Sequence, residues 1–199
     1  VAGKEISRFV EHRFMDGDSL FGSKQIDPWT QGQVEAMRDQ TLAQMRFARD
    51  YTLQLIATIP EELWTAKPSG TTTHLAWQVG HLAVSQYGLM LFRQRGRGEG
   101  DLELMPGWLR KKYGRGTQPP DPTQCDSREL LLEMLGRIDE AAHREAMQWD
   151  WQQFLEPTEM PYAAWPIKLG AFLFCPLHES IHAGQIGLLR RLLGLDPVR

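Results

Sequence analysis

The stretch "HESIHAGQIGLLRRLLG", His178–Gly194, decides how this sequence is read. Two histidines four residues apart lie about 40° apart around an α-helix and one turn displaced, so both imidazoles can grip one ion. The first five letters also fit H-E-x-x-H, the zinc signature of many metalloproteases. A catalytic zinc needs a third protein ligand and an open position. The metzincin extension asks for Gly and His where this chain has Gln185 and Leu188, and the 17 residues after His182 hold a single acid, Asp196. Strand signals that would pair with a substrate backbone are nearly absent. The protease reading is set aside, and a third ligand must come from upstream.

Six histidines are available: His12, His74, His81, His143, His178 and His182. His81 is the best partner because it lies mid-helix among apolar residues in "WQVGHLA", Trp77–Ala83. Gly80 beside it would let another helix, or a metal site, come close. His74 reads as a surface or capping residue in the first helical turn. His143, in the charged stretch "DEAAHREA", reads as solvent-facing, and His12 lies in an unassigned arm. Cys175, three residues before His178, reads as a core hydrophobe in "FLFCPL". A pair of buried, hydrogen-bonded core histidines stays open as the alternative to a metal.

Working outward, the apolar residues fall into four helical segments. The first follows "IDPWTQGQ", with Asp27 to cap and Pro28 in the first turn. Val34, Met37, Leu42, Met45, Ala48, Tyr51, Leu55, Ile56 and Ile59 then recur at helical spacing until Pro60. The second is "TTTHLAWQVGHLAVSQYGLMLFRQRG", which the threonines can cap and Gly96 ends. The third runs from Ser127 through "ELLLEMLGRIDEAAHREAMQW", and the fourth includes "AFLFCPLHESIHAGQIGLLRRLLG", with Pro176 marking either its start or a kink. Residues 96–123 form a Gly/Pro-rich connection, too long for a tight helix hairpin. Within it, Trp108 and Tyr113 of "LMPGWLRKKY" point to ordered packing. The expectation is one all-α domain over residues 1–199, a four-helix bundle with residues 1–26 as an N-terminal arm.

Bulk properties narrow the function. The chain has 42% hydrophobic and 24% charged residues and a net charge of −3, ordinary for a soluble globular protein. A pI near 6.1 gives no nucleic-acid-binding surface. The one basic cluster, "RQRGRG" with "LRKKYGRG", reads as a solvated loop. Two cysteines make no disulfide framework and fit a reducing compartment. No apolar run approaches the roughly 18 residues of a membrane span, and the start lacks a signal-peptide core. A cytoplasmic protein acting on a small molecule is the expectation, with no nucleic acid and no membrane as partner.

"WQVGHLAVSQYGL" followed, 97 residues after its His, by "HESIHAGQIGLLRRLLG" resembles the DinB-like superfamily, which includes the YfiT-type proteins. The match rests on Gly80, His81, Leu82, His178, Glu179, His182, Gly184 and Gln185, and extends over roughly residues 30–195. The arm and the "LMPGWLRKKYGRG" loop are not part of it. The resemblance implies a bundle of up-down-down-up topology with a long second connection. It also implies a divalent ion, nickel or zinc, held by His81, His178 and His182, and a homodimer. Characterised relatives use low-molecular-weight thiols such as bacillithiol or mycothiol. The reaction implied first is therefore thiol S-transfer or thiol-dependent isomerisation, with the thiolate on the metal. The alternatives are a non-catalytic metal-binding protein and a metal-dependent hydrolase.

Three neutral imidazoles would leave the ion's charge uncompensated, so it could lower the pKa of a bound water toward ~7 or stabilise a thiolate. Glu179 is the candidate catalytic base. It sits about 100° around the helix from His178, and a structural or imidazole-orienting role is the favoured reading for it. Gln185 is a candidate partner behind the ligands, and Arg190 reads as a surface or dimer residue. Trp77, Tyr87, Trp149, Trp151 and Trp165 could wall a pocket, with Trp77, four residues before His81, the best placed.

Overall fold

In the computed structural model, which describes residues 29–158 and 165–198, the apolar periodicity becomes four long helices. All of them lie in the unit Gln31–Arg199. The expected arm, the Asp27 cap and His12 fall outside the described residues. Helix α1, Gln31–Ala57, buries Val34, Leu42, Met45, Ala48, Leu55 and Ile56, while Tyr51 stays exposed.

Helix α2, Leu75–Gln86, is capped by His74 rather than by the threonines. The His74 backbone is extended (φ −143°), and its Nδ1 accepts from the Trp77 N–H at 3.1 Å. A π-helical run, Tyr87–Phe92, and a last turn, Arg93–Arg95, carry the helix on to Gly96, whose φ of 77° ends it.

The long connection is built rather than loose. It holds short helices at Asp101–Leu104 and Gly107–Tyr113. Asp101, buried, accepts from the Tyr87 hydroxyl at 2.7 Å, the Gly98 N–H at 2.8 Å and both terminal nitrogens of Arg95. Arg95 also pairs with Glu145. The expectation of a solvated basic loop therefore fails at Arg95. Its cation neutralises a buried carboxylate, which holds the Asp101 acid down to about 2 against the upward push of burial.

Helix α3, Arg128–Ala146, starts at the Ser127 cap, whose hydroxyl accepts from the Leu130 N–H. Helix α4, Lys168–Leu192, begins earlier than the sequence suggested and runs through Pro176, which is interior to it. Packing joins α1 to α4 and α2 to α3, and α2 also meets α4. Leu75, Leu82, Leu135, Ile138, Phe172 and Ile186 are among the side chains sealed in the core. Among the described residues there is no strand, and one antiparallel bridge pairs Pro157 with Ile167. No described helix is long and apolar enough to cross a membrane.

Candidate metal centre

Where α2 and α4 meet, His81, His178 and His182 each offer one ring nitrogen, and these nitrogens lie within 4.8 Å of one another. Helix period explains the pair on α4, because residues four apart share a face. His81 is brought to them by the crossing of α2. The ring centroids of His81 lie 5.4 Å from His178 and 4.9 Å from His182, and the α4 pair is 4.5 Å apart.

Two of the three rings have their protons fixed. His81 Nδ1 lies 2.8 Å from the Tyr113 carbonyl oxygen, which can only accept, so Nδ1 carries the proton and Nε2 keeps a lone pair. His182 Nδ1 donates to the Gln78 side-chain oxygen. The Gln78 amide nitrogen in turn donates to Gln185 at 2.9 Å and to the Thr73 hydroxyl at 3.1 Å. Bonds of this kind behind a ligating imidazole set its tautomer and its aim. Gln185 thus reaches the centre through Gln78. Trp77 stacks on His81 with centroids 4.6 Å apart and planes 8° from parallel, and its indole N–H donates to Thr117.

Burial keeps all three rings uncharged at neutral pH. Desolvation, with the cost of a second cation beside His81, pushes His178 down to about 4. Desolvation and the other two rings push His182 to about 3. Burial also lowers His81. Three neutral imidazoles with converging nitrogens match the donor set of a divalent zinc- or nickel-type ion.

Gly80 explains how a loop reaches this deep. A Cβ at that position would clash with the Tyr113 ring, so glycine lets the Gly107–Tyr113 helix lie on α2 and deliver its last carbonyl to His81. The Tyr113 hydroxyl is anchored by donating to Asp126 at 2.8 Å. The segment outside the recognised motifs therefore holds a ring of the centre.

Glu179 is elsewhere. It is buried where α4 faces α1, and its two oxygens accept from Arg49 Nε at 2.9 Å and Arg49 Nη2 at 3.1 Å. Burial works against the Arg49 charge, and Glu179 more than offsets it, so the guanidinium pKa stands above its ordinary value. Arg49 also donates to Gln86, which donates to Asp139. The structure thus sets Glu179 in an ion pair between α1 and α4, not among the imidazoles.

Some other sequence readings move and some stand. His74 caps α2 as one of its two readings had it, but it is sealed in the interior rather than on the surface, with Nε2 donating to the Pro120 carbonyl at 3.0 Å. His143 is half-buried rather than solvent-facing, with its Nδ1 on the Asp139 carbonyl. Arg190 is buried, donating to the Leu55 carbonyl and to Thr58. Cys175 is buried, its thiol pushed up by desolvation, as a core side chain should be. Tyr87 serves Asp101, and Trp149 packs edge-on against Phe154 and Phe172, so neither walls the centre.

No curated protein matches the chain. The family model of the DinB superfamily matches residues 44–186, and the chain belongs to that superfamily.

Proposed function

We propose that this protein is a metal-dependent enzyme acting on a small molecule, most simply a low-molecular-weight-thiol S-transferase or thiol-dependent isomerase. One observation carries the reading: three uncharged imidazoles converge from two helices, with no carboxylate among them from the described residues. A nickel or zinc ion held by His81, His178 and His182 would supply Lewis acidity and a borderline-soft centre that favours a thiolate over water. The chain's own residues do the rest. Tyr113 and Gln78 keep the ring protons turned away from the centre, and the Trp77 face covers one side of His81. Glu179 is assigned to the Arg49 pair and takes no part in proton transfer.

The architecture assigned is a single-domain four-helix bundle of up-down-down-up topology. It is supported by the contact order: Arg49 with Glu179 and Leu55 with Arg190 run in step along α1 and α4. Gln86 with Asp139 and Arg95 with Glu145 run in step along α2 and α3. Gln78 with Gln185 and Gln94 with Lys168 run in opposite directions along α2 and α4. A cytoplasmic homodimer is part of the proposal. Phe47, Leu177 and Ile181 are 78%, 60% and 55% exposed on α1 and α4, a face that a second copy would cover.

Metal analysis of the purified protein tests the centre, with His81→Ala as control. Stoichiometric nickel or zinc that His81→Ala loses is the expected result, and metal content unchanged by the substitution would sink it. Loaded protein is then assayed with a panel of small thiols and monochlorobimane. Metal-dependent conjugation supports transfer. Ester turnover without thiol reassigns the protein as a hydrolase, and tight metal with neither activity makes it a binding protein.

A further inference from the structure

Ser85 follows His81 by one helical turn on α2, and its hydroxyl oxygen lies 3.3 Å from His81 Nε2. That nitrogen bears no proton, because the ring's one proton sits on Nδ1 and is given to Tyr113. Ser85 is therefore the donor. Helical Ser and Thr commonly turn their hydroxyls back to the carbonyl four residues earlier. Thr41, Thr52 and Ser180 do so here, on Met37, Ala48 and Pro176. Among the described residues, Ser85 makes no such bond and is aimed at the imidazole instead, on a half-buried stretch of helix.

The lone pair that Ser85 uses is the one His81 has to offer an ion. It cannot serve both. Filling it releases a hydroxyl donor at the edge of the three-imidazole centre. We propose that Ser85 recognises the exogenous ligand of this centre, donating to the ligand atom beside the imidazoles. Such a donor favours ligands that keep a lone pair after binding, and most of all anions such as a thiolate or azide, because hydrogen bonds to charged groups are the stronger ones. Neutral nitrogen bases such as imidazole have none left to accept with. The inference rests on the three-histidine metal reading and deepens it, naming an anionic ligand class and the side chain that favours it.

The test uses the full chain loaded with cobalt(II), whose visible absorption reports each added ligand. Wild type, Ser85→Ala and Ser85→Thr are titrated with azide and, separately, with imidazole. All three should hold the same cobalt. Azide affinity should fall roughly tenfold in Ser85→Ala, as for loss of a hydrogen bond to a charged group. Ser85→Thr, which keeps the hydroxyl, should retain it, and imidazole affinity should not move. Equal azide affinity in Ser85→Ala overturns the proposal, as does an equal loss for both probes, which would mark a merely structural role. Loss of cobalt in Ser85→Ala would make the oxygen a ligand of the ion itself and also overturn it. Wild type that holds no cobalt overturns the three-histidine reading and this inference together. Wild type that holds it while Ser85→Ala stays indifferent overturns this inference alone.

Discussion

His178 and Glu179 are neighbours in the chain and belong to two different buried polar clusters. On one face of α4 three neutral rings bring nitrogens within 4.8 Å of one another. On another face Glu179 is closed by Arg49, and Arg49 by Glu179, Gln86 and the Leu135 carbonyl. Glu179 and Arg49 are buried and His178 is half-buried, and the clusters differ in what is left over. The ion pair has spent its donors and acceptors on each other. The imidazoles have been held so that some acceptors remain. Burying polar atoms is costly unless they are paired, so the fully paired cluster reads as architecture, while three nitrogens that converge without bonding one another leave room for a ligand.

Removing one partner from each cluster separates these roles. Arg49→Ala leaves Glu179, 1% exposed, without its counter-charge. The expected loss is about 3–5 kcal/mol in denaturant unfolding of the metal-free protein; an unchanged midpoint would break the contrast. Gln78→Leu removes the acceptor behind His182 and should weaken metal affinity roughly 10- to 100-fold by competition with a chelator. Its effect on unfolding should be smaller than that of Arg49→Ala. The reverse ranking would mean that Gln78 is chiefly structural.

An acid slope is also expected. Burial and the neighbouring rings push His178 and His182 down to about 4 and about 3, against the ordinary 6.5. Below about pH 6.5 the unfolded chain takes up protons that the folded rings refuse. Stability of the metal-free protein should therefore be full above that pH and fall toward pH 4, by at most about 1.4 kcal/mol per pH unit for each ring. His182→Gln should make the slope shallower, and an equally steep one would show that other groups carry it.

How legible this was depends on the kind of signal. The helices could be read because apolar residues such as Val34, Met37, Leu42, Met45, Ala48, Leu55 and Ile56 of the first recur at helical spacing with polar residues between them. His81 stood out because a histidine among apolar residues beside Gly80 is unusual. Gly80 itself announced a close approach, but not by what. The answer, the Tyr113 carbonyl, was illegible, since a backbone oxygen in an aperiodic loop has no letter of its own. Gln78 looked like any helical glutamine. Arg49 sits beside Arg46 and Asp50, both exposed, so nothing in the sequence singled it out for burial. His143 and Arg190 were misplaced for the same reason: charged neighbours suggest solvent, while a single inward side chain can still find a carbonyl.

The bond from His81 to the Tyr113 carbonyl joins the centre to the Gly107–Tyr113 helix, and binding equilibria are reciprocal. Whatever free energy the docked helix adds to an ion at the imidazoles, an ion there returns to the docking of the helix. Slow amide exchange in residues 107–113 would then serve as a gauge of occupancy, readable with no substrate in hand and in a segment that touches the ion nowhere.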